Sequence, residues 1–183
     1  PDAEGALPLH WASLGTDANI VEFLIDKYPS AAGTMDNSGY VPLHWAVNKD
    51  TPYLPVYQRL IKAYPQGASI VSPKNGTLPL HWCVNRSEPD VRLVKELIMA
   101  HSAALRTPCV DGWLPLHYCV NHDIISLEVL KLLLSRYPKA TMCKNEEGQL
   151  PVHRLLDRNH CSKKALKMII DVSPECLMSP DNE

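Results

Sequence analysis

Ten residues, Gly39-Tyr-Val-Pro-Leu-His-Trp-Ala-Val-Asn48, return along this chain almost unchanged and at a nearly fixed interval. They recur as Gly5-Ala-Leu-Pro-Leu-His-Trp-Ala12, Gly76-Thr-Leu-Pro-Leu-His-Trp-Cys-Val-Asn85, Gly112-Trp-Leu-Pro-Leu-His-Tyr-Cys-Val-Asn121 and Gly148-Gln-Leu-Pro-Val-His-Arg-Leu-Leu-Asp157. The histidines stand at 10, 44, 81, 117 and 153, in steps of 34, 37, 36 and 36. A period of this size means stacked units, each touching only its neighbours, rather than one globule. A second marker keeps the same register: Tyr28-Pro29, Tyr64-Pro65, His101-Ser102, Tyr137-Pro138 and Ser173-Pro174. It follows the histidine by 18 residues in the first unit and by 20 in the other four, which places a two-residue insertion between the markers in every unit but the first.

Each unit reads as two short helices. Pro8, Pro42, Pro79, Pro115 and Pro151 suit the first helical position, where a missing N–H costs nothing and the fixed φ is already helical. The first helices are expected to run to about Leu14, Lys49, Asn85, Asn121 and Asp157. In unit one a second helix is predicted near Ala18 to Lys27, capped from Thr16-Asp17 with capping-box spacing at Asn19-Ile-Val-Glu22, its apolar face Ile20, Phe23 and Leu24. In unit two Thr51-Pro-Tyr-Leu-Pro55 carries the inserted turn, and Val56, Leu60, Ile61 and Tyr64 line the helix. The corresponding faces are Val91, Val94, Leu97 and Ile98 after Ser87-Glu-Pro-Asp90; Val129, Leu130, Leu133, Leu134 and Tyr137 after Ser126; and Ala165, Leu166, Ile169 and Ile170 after Ser162.

Between units the chain passes through Asp36-Asn-Ser-Gly39, Lys74-Asn-Gly76, Asp111-Gly112 and Glu146-Glu-Gly148, tight-turn signals whose glycines call for positive φ. The predicted fold class is therefore all-α, a helix-turn-helix solenoid of about five units with β-turn or hairpin tips. The units are about 1–35, 36–72, 73–108, 109–144 and 145–180, in one array over 1–183. Asp2-Ala-Glu-Gly5 matches the back of such a turn, Ser179-Pro-Asp-Asn-Glu183 starts another, and no unit with a polar outer face closes either end. The array is expected to be cut at both ends.

A net charge of −2 without a basic run argues against nucleic acid or an anionic membrane as the main partner. No apolar run approaches the roughly 18 residues of a spanning helix, and no signal peptide opens the chain, so no membrane insertion is expected. Of the six cysteines, Cys83 and Cys119 fill the slot that holds Ala12 and Ala46, which marks them as small core residues. A reducing, intracellular and cytoplasmic setting is the expectation.

Five regularly spaced histidines suggest a metal. Stacked helices, however, lie roughly 8–10 Å apart, whereas each ligand of one zinc sits about 2 Å from it. His117-Tyr-Cys119-Val-Asn-His122 is the densest ligand cluster and lacks a second ligand pair. No phosphate-binding Gly-rich loop, Gly-x-Ser-x-Gly, His-Glu-x-x-His or paired carboxylates of evident purpose occur. No metal, cofactor or catalytic residue is expected, and the chain does not read as an enzyme. Trp11, Trp45, Trp82 and Tyr118 follow the histidine, with Arg154 in the fifth unit, and read as packing between neighbouring first helices. Asn48, Asn85 and Asn121, with Asp157 in the same slot, either cap the first helix or face a partner.

The pattern Gly-x-[Leu/Val]-Pro-[Leu/Val]-His, followed by two short helices and a turn, resembles the ankyrin repeat, whose signature is Thr-Pro-Leu-His-x-Ala at a period of about 33. This longer variant is similar to ankyrin arrays of diatoms and other protists. Leu7, Val41, Leu78, Leu114 and Leu150 replace the signature threonine, so another group must serve the helix start. The resemblance implies that His10, His44, His81, His117 and His153 tie the turns together by hydrogen bonds. It also implies a concave face built from turn tips and first helices. On it would lie Tyr40, Thr77, Trp113 and Gln149, which follow the turn glycines, with Asn48, Lys49, Asn85, Arg86, Asn121, His122, Asp157 and Arg158 at the helix ends. Tyr40 and Trp113 are expected as exposed anchors. The implied function is a non-catalytic module that binds another protein on that surface. The alternative is a scaffold or regulatory arm of a larger multidomain protein or multisubunit assembly.

Overall fold

The computed structural model describes residues 1–49, 53–157 and 162–180. Thr51 and Pro52 of the expected inserted turn, Arg158 and Cys161 lie outside them. Among the described residues there are ten α-helices and no strand. The first helices of the repeats are α1 (Pro8–Ser13), α3 (Pro42–Asn48), α5 (Pro79–Val84), α7 (Pro115–Val120) and α9 (Pro151–Leu156). The second helices are α2 (Ala18–Lys27), α4 (Leu54–Ala63), α6 (Val91–Ala100), α8 (Leu127–Arg136) and α10 (Lys163–Val172). First helices stack on first helices and second on second, so the chain forms a two-layered all-α solenoid. Tyr28, Tyr64, His101, Tyr137 and Ser173 end the second helices with φ between −145° and −147°, and each starts a five-residue 3₁₀ turn.

The first helices are only six or seven residues long, too short to persist on propensity. Their starts are defined by a complete assignment of polar groups. Proline at the first position has no N–H to satisfy, and the histidine N–H two residues on bonds to the carbonyl of the residue before the proline, as in His10 to Leu7 at 2.9 Å. The N–H of that preceding residue is met by the same histidine, whose Nδ1 accepts it at 3.0–3.3 Å in all five repeats. This is the group that serves the helix start in place of the signature threonine.

An accepting Nδ1 puts the imidazole proton on Nε2. That N–H reaches the next repeat from His10, to the Tyr40 carbonyl at 3.0 Å, and from His117, to the Gln149 carbonyl at 3.3 Å, while His44 donates to the Ile70 carbonyl at the end of its own repeat at 3.0 Å. The Nε2 of His81 is buried outside hydrogen-bond range of a partner, although the carbonyls of Trp113 and Thr107, counterparts of Tyr40 and Ile70, still act on it. His10, His44, His81 and His117 are wholly buried.

The second helices bury a continuous apolar stripe. Val56, Leu60 and Ile61, then Val94, Leu97 and Ile98, then Val129, Leu130, Leu133 and Leu134 are buried as their spacing predicts. Tyr57 and Leu93 are buried too, and the Tyr57 hydroxyl donates to the Ala46 carbonyl at 2.7 Å, so this aromatic joins the two helices of its repeat. The face expected of α2 is corrected: Val21 is the buried residue, while Ile20 and Phe23 are 52% and 59% exposed. Ile20 holds the register of Val56, Leu93, Val129 and Ala165, all of which are buried. The cap of α2 is Asp17, which accepts from the N–H groups of Asn19 at 2.9 Å and Ile20 at 3.4 Å, rather than a box starting at Asn19. Asp90, Ser126 and Ser162 cap α6, α8 and α10.

The turn glycines all have φ between +67° and +80°. At Gly112 a side chain is excluded twice, since a Cβ there would also come within 2.8 Å of the Glu146 backbone nitrogen. Successive tips approach closely enough to bond through main chain: Asn37 N–H to Glu4 at 2.9 Å, Val110 to Asn75 at 3.0 Å and Glu146 to Asp111 at 3.1 Å. The donor slot of the third tip holds Pro73, which has no N–H, so no such bond joins it to the second tip. This tip also holds one more residue, its Gly76 N–H reaching back four positions to the Ser72 carbonyl at 2.8 Å, which accounts for the step of 37.

Leu116 and Leu133 are each 2% exposed, and replacing either with alanine is expected to lower stability by about 2–5 kcal/mol in urea unfolding. A loss below about 1 kcal/mol would place that side chain outside the shared core. Burial lowers the pKa of His44 and brings those of His81 and His117 down to about 4, against about 6.5 in an unfolded chain. Between those values the unfolded state binds more protons, so this stability is complete above about pH 6.5 and is lost as pH falls toward 4. The urea midpoint should decline through that window, with a loss of about 2 kcal/mol by about pH 5 from each of His81 and His117. A flat profile would mean that the rings are hydrated.

Candidate functional site

The aromatic residue after each histidine is braced against the turn that opens its own repeat. Trp11 Nε1 donates to Asp2 Oδ2 at 2.9 Å and Trp45 Nε1 to Asp36 Oδ2 at 2.8 Å. The Trp11 bond holds the Asp2 carboxyl below its ordinary range. The other oxygen of Asp36 accepts the N–H groups of Ser38 and Tyr40, both at 2.9 Å, so one carboxylate ties the turn to the helix. In the third repeat Trp82 Nε1 donates to the Thr77 hydroxyl, which itself donates to Asn75 Oδ1 at 2.6 Å. The fourth pairs Cys109 Sγ with the Tyr118 hydroxyl at 3.4 Å, and the fifth has Arg154 donating to Gln149 Oε1 at 3.3 Å. Desolvation raises the pKa of the Tyr118 hydroxyl.

Across repeats the same rings pack edge to face, which is the favoured geometry of aromatic pairs. Trp11 and Trp45 lie 5.2 Å apart, His44 and Trp82 5.6 Å, and His81 and Tyr118 5.5 Å. The packing role read from the sequence is what these contacts display. The rings also line two cavities on the side of the tips and first helices. One, of about 350 Å³, is bounded by Tyr40, Trp45 and Trp82 with Glu4, Asp36 and Asn48 among its polar walls. The other, of about 380 Å³, is bounded by Trp113 and Tyr118 with Asn85, Asn121, Asp111 and Glu146.

The residues expected on a concave face are partly brought together there. Tyr40 and Asn48 line the first cavity; Trp113, Asn85 and Asn121 line the second. Tyr40 and Trp113 are not the freely exposed anchors anticipated. Both are half-buried: Tyr40 holds the Ser72 hydroxyl at 3.2 Å and stacks at a tilt on Trp82, and Trp113 packs on Tyr118 beneath the Arg154 guanidinium, 4.9 Å from its ring centre. Thr77 is 1% exposed, so it is a strut under Trp82 rather than a contact surface. Gln149 braces Arg154, which also reaches Asn121 Oδ1 at 3.1 Å and pairs with exposed Asp157 at 3.3 Å. His122 meets Asn85 Oδ1 at 3.1 Å, Arg86 turns back to the Val47 carbonyl, and half-buried Lys49 ends α3. Arg158 lies outside the described residues.

The bracing carboxylates Asp2 and Asp36 were missed as functional parts of this face. Their signal was an acidic residue three positions before the turn glycine, with an indole nine positions on. Among the described residues no three His, Cys, Asp or Glu side chains converge as a metal site, and no helix is long and apolar enough to cross a membrane.

A family model described as ankyrin repeats (three copies) matches residues 51–145. A chain in the structure of the Bd0816 predatory endopeptidase from Bdellovibrio bacteriovorus in complex with immunity protein Bd3460 superposes with a TM-score of 0.73 at 21% identity. The match covers 91% of this chain and 82% of that one. That likeness is one of fold. No curated protein matches the chain in sequence. With the histidine bonds, the paired helices and the glycine turns in place and the family model spanning more than half of its length, the chain belongs to the ankyrin-repeat family.

Proposed function

We propose that this array is a non-catalytic module that binds another protein on its concave face. The observation that carries the reading is the division of labour within each repeat. Histidine nitrogens, turn carboxylates and indole N–H groups are turned inward on one another, while two cavities with aromatic and amide walls stay open on the side of the tips. Such walls, part apolar and part hydrogen-bonding, are what protein interfaces use. Family membership supports the same reading, since stacked repeats offer extended concave binding surfaces.

The alternative, a scaffold or regulatory arm of a larger multidomain protein or multisubunit assembly, draws support from the apolar side chains left outside the core. Ile20 and Phe23 on α2 are 52% and 59% exposed, and Leu177 and Met178 near the other end 54% and 86%.

Two charge-altering variants separate a concave interface from one on the helical back. Asn48→Arg with Glu147→Arg alters the tip side, and Arg106→Glu with Arg136→Glu alters a cavity between the outer elements of the third and fourth repeats. In quantitative affinity purification from source cells, the first variant should lose partner at least about tenfold, with an unchanged melting curve, while the second retains it. Loss confined to the second variant would move the interface to the back.

A further inference from the structure

We infer that the concave face takes a basic, extended polypeptide segment, with one cationic side chain in each aromatic cavity. This rests on the protein-binding reading and adds the chemistry of the partner. Charge on the array is unevenly placed. The tips carry Asp2, Glu4, Asp36, Asp111, Glu146 and Glu147 against Lys74, although the whole chain has a net charge of only −2. The two cavities open between those tips, and each combines aromatic walls with carboxylates: Tyr40, Trp45 and Trp82 with Glu4 and Asp36, and Trp113 and Tyr118 with Asp111, Glu146 and Glu147. No lysine or arginine lines the first, and Arg154 stands at the edge of the second, over Trp113 and bonded to Asn121.

Aromatic faces draw cations by their quadrupole, and carboxylates at the rim attract the same charge over longer distances. The protein makes this contact itself, with the Arg154 guanidinium lying 4.9 Å from the Trp113 ring centre. The same acidic rim repels phosphates, which disfavours nucleic acid and anionic lipid. The cavities centre on the second and fourth repeats, so stacked first helices place them roughly 20 Å apart. An extended chain covers that distance in about six residues. Exposed Asn48 in the wall of the first cavity and Asn85 in the wall of the second offer amide groups to a passing main chain.

The test is selection of a displayed random peptide library, about twelve residues long, against the whole array. Enriched peptides are then measured by fluorescence anisotropy. Arginine or lysine should be enriched at two positions about six apart. Affinity should fall at least about tenfold in about 0.5 M salt, and by a similar factor for Glu4→Gln with Glu146→Gln and Glu147→Gln. These three side chains are exposed, and a thermal melt confirms that the variant folds. Enrichment of acidic or apolar peptides, or basic peptides that bind the variant equally well, overturns the inference and leaves the concave protein-binding reading standing. Enrichment of nothing overturns both.

Discussion

The array depends on a buried imidazole that must stay neutral. Burial disfavours a charged His117 ring, and with Nδ1 accepting a backbone N–H while Nε2 donates to a carbonyl of the following repeat, one neutral tautomer is fixed. One side of the ring starts a helix and the other reaches the following repeat. Local structure and stacking thus come from the same five-membered ring, and a short helix that would not persist alone is held by its neighbour.

What could be read from the sequence was whatever the backbone dictates locally. Proline at the first helical position, glycine at positive φ and the histidine period each have a covalent or steric cause, and they gave the fold, the turns and the helix starts. What could not be read was what lies across from a side chain. Ile20 and Val56 share a register, but Val56 is buried in an array in which its second helix stacks on that of the repeat before it, whereas Ile20 is half exposed. Tyr57 and Leu93 are missed when each helix is read alone, yet they stand in the registers of Val94 and Val129 and are buried as those are. Thr77 follows a turn glycine as Tyr40 does, yet it lies under an indole, a fact decided by Trp82 folding over it.

The candidate site was legible as a set of slots but not as a shape. The residue after the turn glycine shows why: at Tyr40 and Gln149 its carbonyl receives the histidine bond, while its side chain is left to vary among Ala6, Tyr40, Thr77, Trp113 and Gln149. The main chain of that residue carries the fold and its side chain shapes the face. Small Ala6 and Thr77 are buried, and large Tyr40 and Trp113 wall the cavities, so one frame produces unlike surfaces from repeat to repeat.

Pro73 gives the array a seam. Elsewhere adjoining tips share a main-chain hydrogen bond, whereas here the Tyr40 hydroxyl meets Ser72 and the Pro73 ring stands where a Cβ on Gly39 would fall. In a quasi-one-dimensional stack, each junction contributes its own coupling to cooperativity, and a junction that trades a directional bond for van der Waals contact is the softer spring. That junction stands between the two cavities, so side chains rather than main-chain bonds between tips set the distance from Trp45 to Trp113 there.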